Sequence, residues 1–177
     1  MRRSLVLASM AILTTSALVW AGSQQKVTKP GITNFTKVDA VVACGGATEV
    51  SALDGLKQDG FKTIINLRQA SERGANVDES RQRAEALGLK YVHIPFNSAR
   101  PEEKTFDEFL STIADKSNQP VYIHCASANR VGAVWLAKRV LQDGWPLEKA
   151  TEEAHAIGLS AQPLEAFAVK YIEAHKK

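Results

Sequence analysis

The stretch Val121-Tyr-Ile-His-Cys-Ala-Ser-Ala-Asn-Arg-Val-Gly-Ala-Val-Trp135 decides how this chain is read. Val121 to His124, set off by Pro120, has the β-branched and aromatic make-up of a short buried strand. From about Arg130 to Gln142, Val131, Val134, Trp135 and Leu141 fall on the buried side of a helix. Between the two stand Cys125, a gap of four residues, and Arg130. Backbone N–H groups of such a tight turn converge on one point, and the helix N-terminus adds partial positive charge. That environment favours a thiolate at Cys125. The Arg130 fork suits two oxygens of a tetrahedral oxyanion. The pattern therefore points to attack by Cys125 on the phosphorus of a bound phosphoester. Strand alternation turns the His124 side chain away from the nucleophile, so it is expected to hydrogen-bond behind it, not to carry protons.

Outward from this segment, strand and helix patterns alternate. Val38 to Ala43 reads as a strand ended by Gly45-Gly46, and Thr48 as the cap of a helix carrying Ala52, Leu53 and Leu56. Phe61 to Leu67 is a β-branched strand, residues 78–87 a charged helix stopped by Gly88, and Tyr91 to Ile94 a strand cut by Pro95. Pro101 opens a helix with Phe106, Phe109, Leu110 and Ile113 on one face. Helices around 146–156 and 163–174 close the chain. The expected fold is α/β: a mostly parallel sheet of four to five strands, flanked by helices, with extra C-terminal helices. Ligands of such sheets bind beyond the carboxyl ends of the strands. Arg68, the 96–104 loop and Cys125 should share that rim.

Three segments resemble a bacterial family of tyrosine-phosphatase-like proteins, which includes the phosphatase domain of beta-lactamase-hydrolase-like proteins (DUF442) and is related to dual-specificity cysteine phosphatases. They are Phe61-Lys-Thr-Ile-Ile-Asn-Leu-Arg68, Lys90-Tyr-Val-His-Ile-Pro95 and His124-Cys-Ala-Ser-Ala-Asn-Arg-Val-Gly-Ala133. The resemblance implies a cysteine-phosphatase-like fold, Cys125 as nucleophile and Arg130 as phosphate clamp. It also implies a phosphate-binding loop made by the backbone of Ala126, Ser127, Ala128 and Asn129, and a phosphorylated protein or small phosphomonoester as partner. Three departures stand out. The gap is four residues where well-studied cysteine phosphatases have five, a spacing shared with rhodanese-like sulfurtransferases. Ala128 stands where a loop glycine is usual, and strains the loop if the position needs positive φ. Val131 replaces the hydroxyl residue that helps the thiolate leave. A sulfurtransferase working through a Cys125 persulfide and a non-catalytic phosphate binder are the alternatives.

The family's acid, an aspartate after the third strand, has no counterpart in Asn97-Ser-Ala-Arg-Pro-Glu-Glu-Lys104. Glu102 and Glu103 are the nearest carboxylates, with Asp107 a turn later. Either can protonate a leaving alkoxide or merely favour the helix dipole. Arg68 is expected to bind substrate, brace the loop, or pair with Glu72. Arg100 and His93 have weaker claims. Cys44, at the end of the first strand, is a candidate redox partner for Cys125.

Length and composition fit one domain. The chain has 177 residues, 45% of them hydrophobic and 23% charged. Met1-Arg2-Arg3 followed by the uncharged Leu5 to Ala21 reads as a cleavable export signal, 1–21, which predicts a periplasmic or secreted protein. A polar leader, 22–34, precedes a single domain, 35–177. Without Arg2 and Arg3 the chain keeps 20 basic against 19 acidic residues. That balance argues for no nucleic-acid partner and no stable membrane association after signal cleavage. Four scattered histidines give no zinc spacing, so neither a metal nor another cofactor is expected.

Overall fold

The computed structural model describes residues 24–176; the expected export signal lies outside them. The chain runs β1 (Gln25–Lys26), β2 (Thr36–Lys37), β3 (Val42–Gly45), α1 (Ala52–Gln58), β4 (Thr63–Asn66), α2 (Val77–Ala86) and β5 (Lys90–His93). It continues with α3 (Glu103–Ala114), β6 (Val121–His124), α4 (Asn129–Leu141), α5 (Leu147–Ile157) and α6 (Gln162–His175). The six strands form one sheet in the order β1-β2-β3-β6-β4-β5. β3, β6, β4 and β5 are parallel neighbours, and β1 and β2 add antiparallel pairs at one edge.

Alternation along β6 sorts the core. Val121, Ile123 and the following Cys125 face a large cluster with Trp135, Phe106, Phe109 and Ile172, under α3, α4 and α6. Tyr122 faces the opposite side, with Leu53, Leu56 and Ala84 of α1 and α2. α4 is buried all round, from Arg130 to Ala137, because α5 and α6 wrap its outer side. The two closing helices are thus walls of the core.

Two expectations need correction. Part of the expected polar leader belongs to the domain: Gln25 and Lys26 pair with Lys37 and Thr36, and Ile32 is buried. Two-residue strands leave no periodicity to read, and the pairing raises the sheet to six strands. Thr48 does not cap α1, whose first residue follows Ser51. Its hydroxyl meets the Tyr122 hydroxyl at 2.8 Å, because a buried phenol needs a partner more than a solvent-facing helix end does. Among the described residues no helix is long and apolar enough to cross a membrane.

Candidate active site

Parallel pairing of β6 between β3 and β4 brings three chain segments to one rim. The Cys125 N–H reaches Gly45 O at 3.3 Å and Leu67 N–H reaches His124 O at 2.9 Å, carrying both neighbours past the strand end. The loop then enters α4 through Ala128, which lies in the left-handed region at φ 71°. The strain foreseen for alanine there is present. The methyl is accommodated by Gly158, at φ 144°, where an added Cβ would lie 2.9 Å from that of Ala128. Among the described residues the N–H groups of Ala126 to Arg130 donate to no protein acceptor. Successive N–H groups left without acceptors at a helix N-terminus are a donor set suited to a tetrahedral anion.

The Arg130 guanidinium is buried. Its Nη1 donates to Phe96 O at 2.9 Å, Leu67 O at 3.2 Å and Glu72 Oε1 at 2.5 Å, and its Nη2 donates to Glu72 Oε2 at 2.9 Å. A guanidinium has five N–H donors. Glu72 occupies the end of the fork, which leaves Nε and the outer Nη2 hydrogen together on one edge. Burial opposes the Arg130 charge, but Glu72 and the Cys125 sulfur outweigh it and raise its pKa. The free edge therefore belongs to a fixed cation beside the thiol.

Glu72 was visible in the sequence only as a partner of Arg68; nothing in the local spacing marks a loop carboxylate that reaches across 58 positions. Besides Arg130 it accepts from Gln69 N at 2.8 Å and Arg68 Nε at 3.3 Å. The Arg130 hydrogen bonds hold its carboxyl well below the usual range, at about 2, against the opposing pull of burial. Glu72 is thus an anion at any working pH and no proton donor. Two further Arg68 N–H groups donate to Gly74 O at 2.7 Å and Arg73 O at 2.8 Å. This fixes the 69–75 turn that carries Glu72, so Arg68 braces the site.

The remaining candidates fall as follows. Asn129 Oδ1 accepts from Ser160 N and Ala161 N, both at 2.8 Å, and its amide donates to Ser127 Oγ at 3.3 Å. Its side chain therefore ties the loop to the α5–α6 turn. Glu102 is exposed and paired with Lys104 at 2.8 Å, and Glu103 is exposed in the first turn of α3. Asp107 accepts from the Tyr171 hydroxyl. Among the described residues none of the three forms a hydrogen bond or ion pair with the Cys125 loop. His93 Nε2 lies 2.7 Å from Arg68 O, a packing role. His124 departs from expectation: both ring nitrogens lack a partner among the described residues, and it stacks on Tyr122 with centroids 5.6 Å apart. Burial, helped by the charge of Arg68, pulls its pKa down to about 3, so the ring is neutral. Cys44 and Cys125 are both free and buried against the same face of the sheet. Burial, with Glu153 and Asp39 nearby, pushes the Cys44 thiol up and keeps it protonated. Among the described residues no three His, Cys, Asp or Glu side chains group to hold a metal ion.

Residues 14–165 match the family model of the dual-specificity-type protein tyrosine phosphatase fused to NAD+ kinase. The chain belongs to this family. One relative is the chloroplastic NAD kinase 2 of Arabidopsis thaliana, 30% identical over 82 residues. That match takes in 45% of this chain and 8% of the plant protein. Among solved structures, the DUF442 phosphatase-class protein of Shewanella putrefaciens superposes with a TM-score of 0.72 at 20% identity, covering 83% of this chain and 96% of that one. The TpbA protein of P. aeruginosa, in a complex with phosphotyrosine, has a TM-score of 0.66 at 17% identity, covering 92% and 93%. The fold is that of the tyrosine-phosphatase-like superfamily.

Proposed function

We propose that this chain is a cysteine-dependent phosphomonoesterase. The observation that supports the reading best is the pairing of open donors around Cys125: the unpartnered N–H groups of Ala126 to Arg130 and the free Nε/Nη2 edge of Arg130. Together they suit three equatorial phosphoryl oxygens, whose charge such preorganised donors stabilise as it develops. The Cys125 thiolate attacks phosphorus, the ester P–O bond breaks, and a cysteinyl phosphate forms. Water then attacks phosphorus and returns the thiolate and inorganic phosphate. Glu72 holds Arg130 in place through both steps. The partner in this reading is a phosphorylated protein or small phosphomonoester. The apolar N-terminal segment Leu5 to Ala21 supports an exported, periplasmic or secreted setting.

Steady-state hydrolysis of p-nitrophenyl phosphate by the reduced full chain, from pH 5 to 8, tests the reading. Turnover that survives chelator and disappears in Cys125→Ser is the expected result. No turnover above Cys125→Ser, with a Cys125 persulfide formed from thiosulfate, overturns it in favour of sulfur transfer.

A further inference from the structure

Among the described residues three side chains other than glycine stand at positive φ: Asn34 at 53°, Asn76 at 44° and Ala128 at 71°. Asparagine tolerates that region, but alanine in it holds a conformation that a free loop abandons. Abandoning it at Ala128 rotates a neighbouring peptide. One of the open N–H groups of Ala126 to Arg130, the anion nest, then swings away from the rest. Val131, the residue after Arg130, has no hydroxyl with which to tie the loop from α4. The hold has to come from a neighbouring segment.

Two carboxamides grip the turn between α5 and α6, one from each side. From the loop, Asn129 Oδ1 accepts from Ser160 N and Ala161 N, both at 2.8 Å, and Asn129 Nδ2 donates to Ser127 Oγ at 3.3 Å. That one side chain brackets Ala128, tying the residue before it and the residue after it to a fixed support. From the far side, Asn34 Nδ2 donates to Ile157 O at 2.9 Å, across 123 positions. This is one of the carbonyls that the end of α5 leaves without a helical partner. The two grips meet at Gly158, where an added Cβ would lie 2.8 Å from Asn34 Nδ2, 2.9 Å from Ala128 Cβ and 3.3 Å from Ser127 O. Its bare Cα lets the Asn34 amide, the turn and the Ala128 methyl close on one point. Gly132 seats the same turn on α4, since a Cβ there would lie 2.7 Å from Leu159 Cβ and 2.9 Å from Ala154 O.

We propose that Asn34 and Asn129 are positioning residues of the phosphoryl site: together they hold the α5–α6 turn against Ala128 and keep the N–H groups of the nest open to the anion. The proposal rests on the phosphatase reading above. Neither side chain touches the phosphoryl group or moves a proton in it; each acts through the backbone of the loop. Donors fixed before the anion arrives stabilise its charge without reorganising, so loosening the grip weakens both anion binding and turnover. Asn34 lies in the segment before β2, so the N-terminal part of the domain takes part in the site from a distance.

The test uses the full chain, with turnover read on p-nitrophenyl phosphate and binding of inorganic phosphate read by calorimetry in the Cys125→Ser background. Asn34→Gly removes the side chain and leaves the backbone at φ 53° unstrained. It should lower kcat and weaken phosphate binding, each roughly tenfold. Asn129→Ala should lower kcat roughly ten- to a hundredfold. The deciding readout is the same pair of substitutions made in Ala128→Gly, where glycine holds the left-handed turn unaided. There each loss should shrink to about threefold or less, whereas a merely structural role costs the same in both backgrounds. Equal losses with alanine and with glycine at 128 overturn the proposal. So does a folded Asn34→Gly whose kcat and phosphate affinity stay within about twofold of the unsubstituted chain, and this variant decides alone if Asn129→Ala does not fold. Phosphate affinity separates the proposal from the phosphatase reading. A chain without turnover whose phosphate binding weakens in Asn34→Gly upholds the positioning role and defeats the phosphatase reading, and turnover that Asn34→Gly leaves unmoved does the reverse.

Discussion

Replacing Glu72 with glutamine removes one charge while keeping the side chain's length. In the native chain the carboxylate accepts two Arg130 hydrogen bonds, one from Arg68 and one from the Gln69 amide. Its pKa, near 2 against 4.5 for a free carboxyl, corresponds to at most about 3 kcal/mol at 1.36 kcal/mol per pH unit. Glu72 is 23% exposed, and solvent screening reduces this to about 1–2 kcal/mol. The sign follows from the lowered pKa: the contribution is complete above the unfolded value, near 4.5, and is lost as pH falls through 2. Urea unfolding of wild type and Glu72→Gln at pH 7, 4 and 2.5 measures it. The variant should be about 1–2 kcal/mol less stable at pH 7, and the gap should close as the pH approaches 2. Activity should fall ten- to a hundredfold, through kcat as well as KM, because Arg130 loses the carboxylate that holds its end. A gap that stays constant down to pH 2.5, or unchanged kcat, refutes the idea that an ionised Glu72 positions the clamp.

Ala128→Gly relieves the left-handed alanine and should stabilise the chain by about 0.5–1 kcal/mol by thermal unfolding. Gly158→Ala should cost about 2 kcal/mol or more, since its new Cβ meets Asn34 Nδ2 at 2.8 Å and Ala128 Cβ at 2.9 Å. Glu153 is buried and accepts from Arg139 Nε at 2.5 Å and Trp135 Nε1 at 2.7 Å, so Glu153→Ala should lose about 2–3 kcal/mol in urea unfolding by leaving those two donors without acceptors, while Asp143 still pairs Arg139 Nη1 at 2.8 Å. The buried neutral ring of His124 makes stability decline as pH falls from about 6.5 toward 3, because only the unfolded chain takes up its proton there. NMR titration should find the ring neutral at pH 5, and a midpoint near 6.5 defeats this account.

Periodicity and punctuation made the parallel strands and the main helices legible, because β-branched runs such as Thr63 to Asn66 and apolar stripes such as Phe106, Phe109 and Ile113 are properties of single segments. Cys125 and Arg130 were legible for the same reason: the strand, loop and helix that position them are contiguous. Glu72 was not, since its role depends on where two loops meet after the sheet has formed. The edge strands β1 and β2 were too short to show a pattern. Thr48 looked like a cap because Tyr122, the partner of its hydroxyl, lies 74 positions away. Glu102 and Glu103 stand exposed at the start of α3, the helix-dipole position that was one of the two readings their sequence allowed.

The Asn129 carboxamide joins the anion nest to two main-chain amides more than thirty positions later, Ser160 and Ala161. Those amides can exchange with deuterium only when that link opens, so they sense the stiffness of the nest from outside it. Loading the nest with an oxyanion should slow their exchange, which gives a reporter of occupancy that needs no chromophore and no turnover. It also makes the α5–α6 turn a place where mutation can retune the nest without touching any residue that meets the substrate.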